Sequence, residues 1–225
     1  MVNLSMDWVT EIIDPERRLA LAYASGTRRN PLALLWALDE RLGAIVAATR
    51  EEPLGRIRLA WWRDALEALP QGAPAGEPLL QGLSELIGEG GLDASELARL
   101  PEGWAALLGP LPLEMAALRQ YAVERGGALF QLSATIFGSD ADVSAAGEAW
   151  ALIDFAARVS DRDTAEAARS LAGERLASCG SPPVDLRPLS ILTALARHDQ
   201  RRGFPRRQGS PRRLAIALRA AVIGR

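Results

Sequence analysis

Lysine is absent from this sequence, and cysteine and histidine occur once each, as Cys179 and His198. The absence of lysine excludes chemistry that proceeds through a lysine Schiff base. A single cysteine excludes an internal disulfide and fits a reducing compartment. A histidine-built metal site or a Ser/His hydrolase would have to depend on His198 alone, and no nucleophile pattern surrounds that residue. We therefore assign His198 a structural role.

Long apolar runs are absent as well. No uncharged apolar stretch reaches the roughly 18 residues that a membrane-spanning helix needs, so we expect no transmembrane segment. The stretch MVNLSMDWVTEIIDPERR has neither a basic leader nor an apolar core, so we expect no signal peptide. The expected location is the cytoplasm, and association with a membrane surface stays open as an alternative.

The chain has 225 residues, of which 48% are hydrophobic, and a formal net charge of −2. This length and composition suffice for one large domain with a sizeable core. The near-neutral charge gives no overall attraction to polyanions. We therefore expect no nucleic acid among the partners.

Helix signals dominate, and the alternation that marks strands is nearly absent. Asp14-Pro15-Glu16 predicts a helix that reaches Ala24, and Asn30-Pro31 predicts the start of a long helix that reaches Thr49. Further helices are predicted over 53–69, after the capping pattern Asp93-Ala-Ser-Glu96, over 113–137 with a bend at Gly126-Gly127, over 144–159, 164–179 and 188–200, and from Ser210-Pro211 onward. The prediction is an all-α fold of roughly eight to ten helices.

The whole chain, residues 1–225, is predicted to form one domain. Within it, residues 1–13 are expected to be loose, and the Pro/Gly-rich residues 70–78 are expected to be a linker. Residues 201–210 are expected to be a basic connector between the last two helices.

The segment EEPLGRIRLAWWRDAL, residues 51–66, combines arginines with two adjacent tryptophans. As a helix it carries one apolar stripe that includes Leu59 and Trp62, and a second beside it that includes Ile57 and Trp61. Two such stripes predict a helix that is buried on most sides. Arginines on the remaining face, such as Arg63, are most simply interpreted as a solvated edge.

Asp39 and Glu40 precede the apolar run GAIVAA, residues 43–48. A Mg²⁺–diphosphate site in an all-α protein needs carboxylates at i and i+3 or i+4, because neighbouring turns then supply oxygen ligands together. Leu42 and Gly43 stand at those positions after Asp39. Consecutive helix residues such as Asp39 and Glu40 diverge, so this stretch predicts no metal clamp of its own.

A second acidic group contains Asp154, Asp161 and Asp163, with Arg158 among them. In a helix, Asp154, Arg158 and Asp161 share one face at i, i+4 and i+7. One interpretation is a ladder of ion pairs worth roughly 0.2–0.5 kcal/mol each. The other is the remnant of a metal-binding ladder in which Arg158 neutralises the carboxylates and faces a phosphate.

Basic residues concentrate near the end of the chain, where Asp199 is the only acid among nine arginines between Arg197 and Arg225. The segment RRGFPRRQGSPRR, residues 201–213, has the composition to contact anionic lipid headgroups or diphosphates at a membrane surface. The simpler interpretation is a solvated connector between helices.

Several of these segments together resemble the squalene/phytoene synthase family, the head-to-head prenyl transferases. The resemblance rests on RRNPLALLWALDE (28–40), EEPLGRIRLAWWRDAL (51–66), YAVERGGALFQLSATIFG (121–138), GEAWALIDFAARVSD (147–161) and the ending RRLAIALRAAVIGR. It covers about 14–225 and implies the isoprenoid-synthase-like helical bundle. In that family, two Asp-rich motifs hold Mg²⁺ and the diphosphates of two prenyl substrates.

This chain departs from the family pattern where that chemistry takes place. Under the resemblance, the first Asp motif falls on Gly43-Ala44-Ile45-Val46-Ala47, which contains no acid. In the second motif Asp154 and Asp161 keep acidic positions, while Arg158 stands where an Asp is expected. The sequence is most similar to the branch of the family without acid pairs, which includes mitochondrial complex I assembly factors and uncharacterised bacterial relatives.

We therefore expect a non-catalytic family member that binds a prenyl or other lipid ligand or a protein partner and needs no cofactor. The first alternative is an active, Mg²⁺-dependent prenyl transferase. It would hold the metal on Asp39, Asp154 and Asp161, and the diphosphate on arginines, for which the candidates are Arg56, Arg58, Arg63 and Arg158. The second alternative is a peripheral membrane adaptor that uses residues 201–213.

Overall fold

The computed structural model describes residues 6–88, 90–203 and 206–223, and this part of the chain is helical without any β-strand, which confirms the all-α class. The α-helices are α1 (Pro15–Leu21), α2 (Gly26–Ala48), α3 (Glu52–Glu67), α4 (Pro78–Gly88), α5 (Ala94–Ala105), α6 (Met115–Tyr121), α7 (Ala128–Phe137), α8 (Ser144–Ala156), α9 (Arg162–Ser178), α10 (Arg187–Arg202) and α11 (Pro211–Ile223). A π-helical segment, Ala122–Gly127, joins α6 to α7. Short 3₁₀ helices cover Trp8–Glu11, Leu69–Gln71, Ala106–Leu108 and Val184–Leu186.

Helix α1 begins as predicted. The Asp14 side chain accepts hydrogen bonds from the backbone N–H groups of Glu16 (2.8 Å) and Arg17 (3.0 Å), with Pro15 in the first turn. The predicted end at Ala24 is wrong, because the helix ends at Leu21. The Arg29 side chain of α2 donates to the carbonyls of Leu21, Ala22 and Ala24, so these oxygens are satisfied without further helical turns.

Helix α2 begins at Gly26, before the predicted start at Asn30-Pro31. The Asn30 side chain does not cap the helix. It accepts from the N–H of Trp8 (2.9 Å) and donates to the carbonyl of Met6 (3.2 Å). In the segment expected to be loose, Trp8 and Ile12 are buried, while residues 1–5 lie outside the described residues.

Helix α3 lies at the surface, and the prediction that it is buried on most sides is wrong. Leu59 and Trp62 are buried, but Ile57 is 65% exposed and Trp61 is 50% exposed. The reason is that α3 packs mainly on α5, which covers only one of its two apolar stripes. Helix α2 is enclosed instead, since every residue from Leu32 to Asp39 is buried.

The helix predicted over 113–137 is continuous from 115 to 137, and the predicted glycine bend is the π segment between α6 and α7. Counted as one helix, it brings the described chain to ten α-helices, within the expected number. Glycines let it approach its neighbours closely. A Cβ on Gly103 of α5 would lie 2.5 Å from the backbone nitrogen of Arg125, and one on Gly147 of α8 would overlap the carbonyl oxygen of Gly126. These contacts fix the π segment between α5 and α8.

Helix α8 ends at Ala156, earlier than the predicted residue 159. Asp161 therefore leaves the face that carries Asp154 and instead caps α9, where its side chain accepts from the N–H of Thr164 at 2.8 Å. The three-member ladder is thus wrong, although the Asp154–Arg158 pair in it forms at 2.9 Å. Helix α11 begins at Pro211 as predicted, and residues 204–205 of the basic connector lie outside the described residues.

The linker predicted over 70–78 overlaps the 3₁₀ turn Leu69–Gln71 at its start and the first residue of α4, Pro78, at its end. The capping pattern at Asp93 opens α5, where the Asp93 side chain accepts from the N–H of Ser95 at 2.7 Å. Within the described ranges, no helix has the length and apolar character needed to cross a membrane.

Candidate functional site

A cavity of about 950 Å³ opens between α2, α5, the π segment and α8. Its apolar wall is formed by Gly43, Ala44, Val46, Ala47, Leu107 and Phe155. Its charged lining consists of four carboxylates (Asp14, Asp39, Glu40 and Asp154) and four guanidinium groups (Arg17, Arg125, Arg158 and Arg206). Gln208, from the connector before α11, also borders the cavity.

Asp39 lies at the base of this charged lining, and its side chain is 0% exposed. Oδ1 accepts from Trp104 Nε1 (2.7 Å) and from Arg125 Nε (2.9 Å), and Oδ2 accepts from Arg125 Nη2 (2.8 Å) and from Arg17. Burial alone would raise the pKa of Asp39, but the guanidinium groups of Arg125 and Arg17 hold it well below its usual range. Asp39 is therefore an ionised carboxylate with both oxygens engaged.

Arg125 is the central cation of the site, and its side chain is 1% exposed. Its guanidinium carbon lies 4.3 Å from the ring centroid of Trp104, 4.8 Å from that of Trp150 and 5.3 Å from that of Tyr121, whose hydroxyl also accepts a hydrogen bond from Arg125. Although burial disfavours the charged form, Asp39 raises the pKa of Arg125 above its ordinary value. The aromatic rings and Asp39 together stabilise a permanent buried cation.

Asp154 of α8 forms the second anionic centre. Its Oδ1 accepts from Arg158 (2.9 Å) and Arg206 (3.0 Å), and its Oδ2 lies 3.6 Å from Arg125 Nη2. Burial would raise the pKa of Asp154, but Arg158, Arg206 and Arg125 together lower it. Because Arg125 contacts both Asp39 and Asp154, one arginine links the acids of α2 and α8.

The network of ion pairs continues beneath the connector. Arg206 also reaches Asp199 of α10 at 2.8 Å, and Asp199 in turn pairs with Arg213 of α11. Arg213 binds Glu16 of α1 through two hydrogen bonds, one of them at 2.8 Å. Alternating buried acids and arginines therefore connect five helices, α1, α2, α8, α10 and α11, around the cavity.

Gly43 explains how Trp104 reaches Asp39. A Cβ at position 43 would lie 2.8 Å from Cη2 of Trp104 and 2.9 Å from its Cζ2, closer than real side chains pack. The absence of a side chain at position 43 therefore lets the benzene ring of the indole approach the helix backbone while Nε1 donates to Asp39. Any side chain at position 43, including an aspartate, would have to displace Trp104.

Three of the sequence-predicted site residues, Asp39, Asp154 and Arg158, line the cavity. The others lie elsewhere. Asp161 caps α9, as described above. The three α3 candidates are on the outer surface: Arg56 pairs with Glu52 (2.8 Å), Arg58 is exposed, and Arg63 pairs with Asp64 (2.7 Å) and Glu102 (3.2 Å).

Sequence reasoning missed the residues that complete the site, namely Arg17, Trp104, Arg125 and Arg206. Arg125 had a usable signal, since it precedes Gly126-Gly127 and stands four residues after Tyr121 within an apolar helix. An arginine beside two glycines lies where helices approach closely, so its burial could have been expected. Arg17 and Arg206 carry no comparable local signal.

Across residues 6–88, 90–203 and 206–223, no group of three or more His, Cys, Asp or Glu side chains is arranged to hold a metal ion. Asp39 and Asp154, two of the acids that an active prenyl transferase would need for the metal, are separated by Arg125. The arrangement provides a neutral polar base made of paired charges, and above it an apolar wall.

Comparison with known proteins identifies the family of the chain. No curated protein and no solved structure is significantly similar to the chain. The sequence profile of squalene/phytoene synthase matches residues 13–221, which is nearly the whole chain and includes α2 and α8 with the cavity between them. The chain therefore belongs to the squalene/phytoene synthase family.

Proposed function

We propose that this protein is a non-catalytic member of its family that binds a prenyl-type lipid with an uncharged head in the central cavity. The observation that carries the proposal is the pairing of every cavity arginine with a carboxylate. The assignment to the branch of the family without acid pairs is part of the same proposal.

The charge balance of the cavity argues against a diphosphate ligand. Four carboxylates face four guanidinium groups, so the lining has no net positive charge to offer a polyanion. A diphosphate would have to displace carboxylates such as Asp154 from their arginines, and each displaced acid would then be buried without a partner. An alcohol or carbonyl head needs only a hydrogen bond, which Gln208 or an arginine at the mouth can donate.

The same pairing argues against Mg²⁺. Magnesium needs carboxylate oxygens in octahedral geometry, but both oxygens of Asp39 accept hydrogen bonds from protein groups. Under the family resemblance, the first Asp motif falls on Gly43 through Ala47, and none of these residues is acidic. The residues present therefore do not fit a Mg²⁺–diphosphate cluster.

The apolar wall fits an isoprenoid chain. The run from Gly43 to Ala47 and the side chains of Leu107 and Phe155 offer small and apolar groups along one side of the cavity. The volume, about 950 Å³, lies within the range of ligand-binding pockets. Burial of a prenyl chain here would supply most of the binding free energy, since apolar area removed from water contributes about 25 cal/mol per Å².

Calorimetric titration with farnesol and with farnesyl diphosphate, each with and without Mg²⁺, tests the proposal. We expect farnesol to bind at least as tightly as the diphosphate, and Mg²⁺ to leave both affinities unchanged. The cavity variant Ala47→Phe should weaken binding of farnesol by at least about tenfold, because the ring occupies the space of the ligand. Ala48→Phe is the matched control, since Ala48 is exposed like Ala47 but does not line the cavity.

Turnover is measured in parallel with farnesyl and geranylgeranyl diphosphate and Mg²⁺. We expect no release of diphosphate. Mg²⁺-dependent release that disappears in Asp154→Ala would overturn the proposal and identify an active prenyl transferase. Equal binding of farnesol by the Ala47→Phe and Ala48→Phe variants would place the ligand outside the cavity.

A further inference from the structure

A second pocket, of about 380 Å³, lies between α10, α11 and the loop before α10, away from the central cavity. Three arginines border it: Arg197 and Arg201 on successive turns of α10, and Arg219 on α11. Ser181, Ser190 and Ile216 also line it. No acidic residue is among the described residues that line it.

The three arginines are held differently. Arg197 is anchored, since it donates to the carbonyls of Cys179 and Gly180 (2.9 Å each) and to the hydroxyl of Ser181 (3.0 Å). Arg201 and Arg219 are exposed, and neither has a carboxylate within 4.0 Å in the part of the chain that is described. The pocket therefore brings positive charges together without a protein anion, an arrangement that favours a bound anion.

Helix α11 presents an apolar stripe to solvent beside this pocket. Leu214, Leu218 and Val222 follow each other at four-residue intervals and are 45%, 44% and 76% exposed. The opposite face, which includes Arg213 and Ala217, is buried against the rest of the protein. Helix α11 is thus amphipathic, and the described chain leaves its apolar stripe uncovered.

Arginines flank the stripe on the side of the pocket. Arg212 and Arg219 stand seven residues apart on one face of α11, next to the face of Leu218, and Arg212, like Arg219, is exposed. The neighbouring connector adds exposed Arg202 and Arg207. From 201 to 223 the sequence contains no Asp or Glu. Apolar side chains beside cations are the pattern of a helix that lies in the interface of an anionic membrane.

We propose that the pocket between α10 and α11 binds the phosphate of an anionic phospholipid headgroup, while Leu214, Leu218 and Val222 rest in the bilayer surface. Arg197, Arg201 and Arg219 surround the phosphate, and the leucines supply the second, apolar contact. Two contacts of different kinds are what stable peripheral binding requires. This site is independent of the central cavity, so its failure and that of the proposed lipid ligand are distinguishable.

Vesicle flotation tests the site, with phosphatidylcholine alone and with an equal mixture of phosphatidylcholine and phosphatidylglycerol, at about 50 mM and about 500 mM NaCl. We expect the protein to bind the mixed vesicles at low salt, and to lose binding at high salt or without phosphatidylglycerol. Arg201→Glu with Arg219→Glu should lower the partition coefficient at least tenfold, because two positive charges near the anionic surface are replaced by two negative ones.

The matched control is Arg119→Glu with Arg162→Glu, which changes the net charge equally at exposed positions away from both pockets. It should bind within about twofold of the unaltered protein. Leu214→Gln with Leu218→Gln should also lower binding, which separates the apolar contact from a charge effect. Circular dichroism checks that each variant folds.

Three outcomes overturn the inference. Equal loss in the pocket variant and its control would show a general charge effect. Calorimetric binding of glycerol 3-phosphate without any vesicle binding would identify a soluble phosphate as the ligand. A dimer in light scattering that Leu214→Gln with Leu218→Gln dissociates, without vesicle binding, would show that the stripe joins two copies of the chain.

Discussion

The central cavity and the pocket between α10 and α11 both collect arginines, and they differ in what stands beside each guanidinium group. In the central cavity, Arg17 and Arg125 are buried and share the carboxylate of Asp39. In the α10/α11 pocket, Arg201 and Arg219 are exposed and have no carboxylate within salt-bridge distance among the described residues. The first set is part of the folded core, whereas the second is available to a ligand.

A cluster of arginines therefore indicates anion binding only after the protein partners of those arginines have been assigned. Loss of the partner carboxylate strongly destabilises a protein in which the guanidinium group is buried. An exposed guanidinium without a partner loses almost nothing when it is replaced. Arginines therefore contribute to the stability of the fold in the central cavity and are available for ligand binding in the α10/α11 pocket.

Removal of the Asp39 carboxylate has the largest expected effect on stability. Asp39→Asn would leave Arg17 and Arg125 buried without their shared charge partner, and should lower the free energy of unfolding by about 3–5 kcal/mol. Urea unfolding at neutral pH measures the change. A loss below about 1 kcal/mol would show that the two arginines find other partners or water.

The contact between Gly43 and Trp104 has the next largest effect. Gly43→Ala places a Cβ against the indole, 2.8 Å from Cη2, and should destabilise the protein by about 1–3 kcal/mol through overpacking. Gly26→Ala is the matched control, since nothing lies within 4 Å of a Cβ there. It should be neutral or slightly stabilising. Equal thermal stability of the two variants would contradict the tight indole contact.

The sequence predicts those features that depend on neighbouring residues. The all-α class, the Asp14 cap and the start of α11 at Pro211 follow from local hydrogen bonding and from the fixed φ of proline. The end of α7 before Gly138 follows from a residue that adopts positive φ, here 71°. Each of these signals lies within one helical turn of the feature that it predicts.

The site could not be predicted in the same way, because its contacts join distant parts of the chain. Arg125 and Asp39 are 86 residues apart, and Arg213 and Glu16 are 197 apart. An arginine is usually exposed, so its burial depends on a partner that no local pattern identifies. Periodicity likewise found both apolar stripes of α3, but only the position of α5 decides that Trp62 is buried and Trp61 exposed.

Acid titration distinguishes the two pockets, since the central cavity holds carboxylates with lowered pKa, whereas no described residue that lines the α10/α11 pocket is acidic. The arginines around Asp154 keep its folded pKa below the value of about 4 that applies in an unfolded chain. As the pH falls below about 5, the unfolded chain binds protons that the folded protein does not, so stability decreases. This contribution is fully present at neutral pH and is lost as the pH falls through the folded pKa.

The variant Asp154→Asn tests whether this carboxyl group makes stability decrease as the pH falls. Urea unfolding between pH 6 and about pH 3 should show a shallower decline for the variant than for the unaltered protein, by at most about 1.4 kcal/mol per pH unit for one carboxyl group. The variant should also be less stable at neutral pH. Parallel curves would show that Asp154 titrates alike in the folded and unfolded chain.

The smallest effect on stability is expected in the α10/α11 pocket. Arg219→Gln removes one exposed cation from a group of like charges, so the melting temperature should change by no more than roughly 2 °C, in the upward direction, at low salt. Added NaCl screens the repulsion in the unaltered protein and should remove the difference.

Inorganic phosphate should instead stabilise the unaltered protein more than the variant, because an anion that binds only the folded state shifts the unfolding equilibrium. A drop of several degrees in Arg219→Gln would mean that Arg219 holds the fold as Arg125 does, and the distinction between the two pockets would then be wrong.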